Sequence, residues 1–169
     1  MRALWISVIF ISAVIVSGCK YSDKYETVEV NKEFSLAIPS WLKKEDNLKP
    51  GAPFQYANRF RNFYAIAEPV AKGTDSAAFI TALNANLTLV KKAMNKPMVT
   101  DSVAVDYSGT KGIRVEVMGE MSGEKIYFSE VMLDGKKSFY HLSIWTRSEE
   151  RKLKFKEDIG QILTSFKEL

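Results

Sequence analysis

The 169-residue chain predicts an α+β protein, an α/β/α sandwich in which two long helices cover a central, mostly antiparallel sheet of about seven to eight strands. Three observations predict it. Short alternating segments separated by turn residues fill most of the sequence, two stretches change to helical period, and the order of strands, helix, strands, helix leaves each helix a sheet face to cover.

The first strands are Thr27 to Val30 and Phe34 to Ile38, joined at Asn31-Lys32 and stopped by Pro39. Trp41 to Pro53 reads as a loop with room for one helical turn, because Pro50-Gly51 and Pro53 interrupt any period. Strands resume at Phe54 to Ala57 and Phe63 to Ala67, with residues 58–62 as their hairpin tip. Phe79, Leu83, Leu87, Val90 and Met94 then recur at helical spacing, with Thr74 or Asp75 as N-cap and Pro97 beyond the end.

Four more strands follow, Val99 to Val105, Ile113 to Met118, Lys125 to Leu133 and Ser138 to Thr146. Ser108-Gly109, Ser122-Gly123 and Asp134-Gly135 turn between them, which makes the group a meander. A second helix starts at Ser148 as N-cap, with Glu149 and Glu150 in its first turn. It presents Phe155, Ile159, Ile162, Leu163 and Phe166 along one face.

Ahead of this domain, Met1-Arg2 leads into the uncharged run ALWISVIFISAVIV. A basic start, an apolar stretch and small residues have the anatomy of a secretory signal peptide, and the run is shorter than the roughly 20 residues that span a bilayer. Val16-Ser17-Gly18-Cys19 resembles the lipobox of bacterial lipoproteins, in which an aliphatic and two small residues precede cysteine. The resemblance implies cleavage before Cys19, lipid on its sulfur and usually a further acyl chain on the new amino group. Two or three acyl chains anchor a protein durably.

The expected organisation is therefore a lipoprotein signal peptide at residues 1–18, an anchor and short tether at 19–24, and one domain over 25–169. Cys19 is the only cysteine, so no thiol remains for a disulfide and stability must come from a packed core. Lys20 after Cys19 does not resemble the aspartate of an inner-membrane retention signal. The expected site is thus the bacterial cell envelope, with the outer membrane favoured over the inner. A net charge of +4, falling by one when Arg2 is removed, is too mild and too dispersed for nucleic-acid binding.

Phe34-Ser35-Leu36-Ala37-Ile38-Pro39-Ser40-Trp41, a strand running into proline and an aromatic, looks like the opening of the PsbP-like and DcrB-like superfamily. Phe139 to Thr146, followed by a helix ending Ile162-Leu163-Thr164-Ser165-Phe166, is similar to its close. The resemblance covers about residues 25–169. It implies the sandwich described above and an accessory or assembly role on a larger complex, with no shared catalytic residues. A partner would then be another envelope protein.

Candidate chemistry is sparse. His141 is the only histidine, so a multi-histidine or Cys-His metal site is excluded by count. Asp101, Asp106 and Asp134 match no calcium loop, and Gly109, Gly112, Gly119 and Gly123 read as turn and bulge positions, not a phosphate cradle. No cofactor is expected.

Strand parity places Glu130 and His141 on one otherwise apolar sheet face, directly opposite each other if the Asp134-Gly135 loop has four residues. That pair is either a satisfied core contact or the polar spot of a ligand pocket between sheet and helix. A serine triad with Ser129 or Ser143 is disfavoured, since no sharp nucleophile turn occurs. Arg59-Phe60-Arg61 at a hairpin tip is a candidate partner contact, unless Phe60 folds back into the core. Arg151, Lys152, Lys154 and Lys156 read as the wet face of the last helix.

Overall fold

Two dipeptides set the framework of the sheet. Ser108 and Gly109 have φ of 51° and 85°, and Ser122 and Gly123 have 53° and 81°. Such left-handed pairs make two-residue turns whose twist matches the strands they join. They connect β6 (Asn95–Tyr107), β7 (Thr110–Met121) and β8 (Glu124–Asp134) into a meander, which β9 (Phe139–Arg147) continues.

The computed structural model describes residues 24–73 and 77–169. Cys19 with the apolar run before it, and the expected N-caps Thr74 and Asp75, lie outside the described residues. Before the meander come β1 (Tyr25–Val30), β2 (Phe34–Pro39), β3 (Lys43–Lys44), β4 (Phe54–Asn58), β5 (Phe63–Val70) and α1 (Ala78–Lys92). After it come α2 (Glu149–Lys154), α3 (Lys156–Thr164) and β10 (Lys167–Glu168).

Seven strands form one antiparallel sheet in the order β3-β4-β5-β9-β8-β7-β6. The strands β1, β2 and β10 form a second, three-stranded sheet. The architecture is an α+β sandwich, as expected, but the first two strands do not join the large sheet. Their alternation is satisfied by any apolar layer, and β2 finds its second neighbour in the last residues of the chain, pairing Ser35 with Lys167 and Phe34 with Glu168.

The loop expected between Trp41 and Pro53 contains the two-residue β3, paired to β4. The last helix is broken into α2 and α3 at Phe155, whose backbone (φ −100°, ψ 12°) caps both. Packing explains the break. The Phe155 ring is buried against Trp41 and Phe63, with centroids 5.5 and 5.4 Å away, while Leu153 two residues earlier is left 67 % exposed. Ser148 does cap α2, accepting from the backbone N–H of Arg151 at 3.4 Å.

Each face of the large sheet has its own core. On one face Val131, Leu133, Tyr140, Leu142 and Ile144 pack with Phe34, Leu36 and Ile38 of β2 and with Ile162, Leu163 and Phe166. On the other face Val115, Val117, Phe128, Met132 and Phe139 meet Leu83 and Leu87 of α1 and Met94. Gly119 has no side chain because Met94 lies over it: a Cβ there would come within 2.2 Å of the Met94 sulfur.

Candidate functional site

The strand β9 lies between β5 and β8, so both its edges are paired, the two cores cover its faces, and it carries the only histidine. Phe139, His141, Ser143 and Trp145 alternate onto the α1 face, and Tyr140, Leu142 and Ile144 onto the other. A polar side chain on such a strand must find its partners inside the protein.

His141 finds two carboxylates. Its Nε2 is 2.6 Å from Oε2 of Glu130, and its Nδ1 is 3.3 Å from Oε1 of Glu68. The hydroxyl of Ser143 donates to the other oxygen of Glu130. Lys49, from the segment before β4, donates to Glu68. Glu130 and His141 are 1 % and 3 % exposed, so this is a buried charged chain that reaches the surface only at Lys49 and Glu68.

Glu130 and His141 share a face as parity requires, but they are diagonal and not opposite. The loop after β8 has four residues, 135–138, one position later than expected. Glu130 therefore stands opposite Ser143, and His141 opposite Met132. Neighbours on the diagonal remain within reach of long side chains. On the other edge of β9, where β5 pairs, the residue directly opposite His141 is Glu68.

Glu68 and Lys49 are absent from the sequence-based candidates. Glu68 had a signal: Tyr64, Ile66, Glu68 and Val70 alternate without interruption, and only Pro69 argued for ending the strand at Ala67. Proline is tolerated there because β4 pairs with β5 no further than Ala67, so no ladder bond is lost on that side. Lys49 carried no signal, since it reaches the site from an irregular segment.

Burial opposes a charge on His141, but the hydrogen bonds to Glu130 and Glu68 outweigh it and push the ring up to about 9. Burial would likewise raise Glu68, and the bonds from His141 and Lys49 hold its carboxyl below the usual value. At neutral pH the imidazole is a cation that gives both N–H groups to carboxylates. It has no free lone pair with which to take a proton from Ser143, whose hydroxyl is itself bound to Glu130.

Beside this chain lies a cavity of about 370 Å³ between the sheet and α1. Leu89 and Val90 of α1 form one wall, and Ile66, Phe128 and Trp145 of the sheet form the other, with Lys49, His141 and Ser143 also lining it. Trp145 is clamped between Tyr64 and Phe128, at centroid separations of 5.2 and 5.4 Å with nearly parallel rings.

The hairpin tip between β4 and β5 is different in character: it is an exposed knob held by polar contacts. Asn58 accepts from the Arg61 backbone N–H at 3.0 Å and donates to the Trp41 carbonyl at 3.0 Å, which fixes the turn. Arg59 makes two 3.1 Å bonds to the Glu45 carboxylate and one of 2.9 Å to Asn47. The Arg61 guanidinium sits 4.6 Å from the Trp41 ring centroid. Phe60 does not fold back into the core; it is 92 % exposed.

The other sequence candidates are not brought together. Ser129 is on the opposite face from Ser143, where its hydroxyl donates to Glu116. Asp106 accepts from the backbone N–H of Gly109, and Asp134 pairs with Lys72 at 2.5 Å. Among the described residues no group of three His, Cys, Asp or Glu side chains is placed to hold a metal, and no helix is long and apolar enough to cross a membrane.

No protein-family model and no curated protein sequence matches the chain. Solved structures do. The Ran-binding protein Mog1p of Saccharomyces cerevisiae superimposes with a TM-score of 0.61 at 12% identity, covering 86% of this chain and 96% of its own. Cyanobacterial PsbP (CyanoP) from Synechocystis gives 0.58 at 11% identity, with 90% and 96% covered. LpqN, involved in cell envelope biogenesis of Mycobacterium tuberculosis, gives 0.52 at 11% identity, with 88% and 87% covered. The chain therefore has a PsbP-like fold, the one that its opening and closing strands resemble.

Proposed function

We propose that this chain is a non-enzymatic accessory module of the bacterial envelope, held at a membrane by lipid on Cys19, that binds another protein through the tip Arg59-Phe60-Arg61. The observation that carries this reading is a phenylalanine 92 % exposed on a turn whose two arginines are already held in place. An aromatic flanked by arginine has the composition of an interface centre, and the fixed turn reduces the ordering cost of binding. The similarity to a Ran-binding protein and to PsbP fits such a role, and the saturated hydrogen bonding of His141 argues against catalysis.

A photo-crosslinking residue at Phe60, activated in intact cells, is expected to capture one discrete envelope protein. The triple replacement of Arg59, Phe60 and Arg61 by alanine is expected to abolish co-purification of that protein. Co-purification that survives the triple replacement removes the tip as the contact. Cys19→Ser is expected to release the chain from membranes washed in high salt, and retention there would refute the lipid anchor.

A second reading is favoured by a different observation. The cavity beside His141 is of the size and apolar character of a small-ligand site, so the module also has room for a ligand between sheet and helix.

A further inference from the structure

The walls of that cavity and its charges do not ask for the same thing from an occupant. Leu89, Val90, Ile66, Phe128 and Trp145 offer hydrocarbon and two aromatic rings. The charged side chains among its lining residues are Lys49 and His141, both cationic, and among the described residues no carboxylate lines it. Glu68 and Glu130, which neutralise the pair, stand outside the lining, and both N–H groups of His141 are turned to them. Lys49 differs. Its ammonium has three N–H donors, of which Glu68 takes one, and its side chain is 31 % exposed. Donors remain at the edge of an apolar chamber.

We propose, on the second reading above, that the cavity binds a single-chain amphiphile with an oxyanion head, its alkyl body between α1 and the sheet and its head on Lys49. The size limits the body. Small-ligand sites run from about 300 to 1,000 Å³, and 370 Å³ is at the lower end, suited to one chain and not to a diacyl lipid. A cationic head would meet Lys49 and His141 as like charges. A neutral head would gain the apolar contact without the charge-assisted bond.

The test is calorimetric titration of the full chain with decanoate, decyl phosphate, decanol and decylamine, each below its micellar concentration. Decanoate or decyl phosphate is expected to bind about tenfold more tightly than decanol, with decylamine weakest. Which of the two anions is preferred distinguishes a carboxylate from a phosphate head. Lys49→Ala should bring the anions to the level of decanol and leave decanol unchanged, while Lys49→Arg should retain the preference. Ala93→Trp, a plug from the exposed side of the cavity mouth, should abolish binding of all four in a folded protein.

Equal affinities for decanoate and decanol, or a Lys49→Ala chain that keeps its anion preference, overturn the oxyanion head and leave a neutral-ligand cavity. Binding that ignores Ala93→Trp overturns the cavity as the site altogether.

Discussion

The two faces of the large sheet are built to different standards. The face under β2 and α3 is closed at its centre, where Phe34, Phe166, Leu133, Val131 and Leu163 are 0 % exposed, and opens toward α2, where Arg114, Glu116, Ser129 and Lys156 line a cavity of about 650 Å³. The face under α1 is not. Among the described residues α1 buries only Leu83 and Leu87, leaves Ile80 and Leu89 46 % and 61 % exposed, and covers a chain of four charged side chains beside a cavity. A closed core tolerates few alternatives, whereas a loosely covered one leaves volume and charge available. The packed centre of the first face is where the large aromatic side chains are sealed, and the second sets an apolar cavity beside a buried charged chain.

Substitutions should separate the two faces. The largest effect is expected on the closed side: Phe166→Ala removes a ring packed against Phe34 and Tyr140, and should lower unfolding free energy by about 3–5 kcal/mol in urea titration. A cost under about 1 kcal/mol would mean that this core can collapse around the gap.

On the open side Glu130→Ala leaves the His141 cation and the Ser143 hydroxyl short of a partner, and should cost roughly 3 kcal/mol. Adding His141→Ala removes the stranded charge, so the double variant should be less damaged than the two single effects together by more than about 1 kcal/mol. Additive effects would show that the ion pair is a packing contact and nothing more.

The same face should titrate. His141, surrounded by Glu68, Glu130 and Lys49, has a folded pKa of about 9 against an ordinary 6.5. Its contribution is fully present below about pH 6.5 and is lost as pH rises through 9, an effect on the order of 3 kcal/mol. Comparing the pH dependence of wild-type and His141→Gln unfolding isolates it from tyrosines and lysines that titrate in the same range. The smallest effect belongs to the half-open cavity wall on α1, where Leu89 is 61 % exposed and Leu89→Ser should stay within about 0.5 kcal/mol. A larger cost would mean that α1 is held more firmly than its exposure implies.

Strand parity and turn chemistry were readable residue by residue. Ser108-Gly109 and Ser122-Gly123 turn where their dipeptides demand, and the period-2 and helical stretches become β9 and α1, because these preferences are local. The shared face of Glu130 and His141 was legible for the same reason, since a two-residue alternation survives any shift of register by two. Their diagonal offset was not, because loop placement depends on how Asp134 to Phe139 pack and not on composition alone.

What the sequence determined by itself is therefore periodicity: which residues turn, which alternate, and which sides of a strand go together. The tertiary structure alone decided everything that joins distant segments. It sent β2 to pair with the last residues of the chain, broke the final helix where Phe155 meets Trp41 and Phe63, and brought Lys49 and Glu68 to His141. The physical reason is that a side chain's rotamer and strand preferences are set by its neighbours in sequence, whereas its partner across the core is chosen by the packing and charge balance of the whole fold.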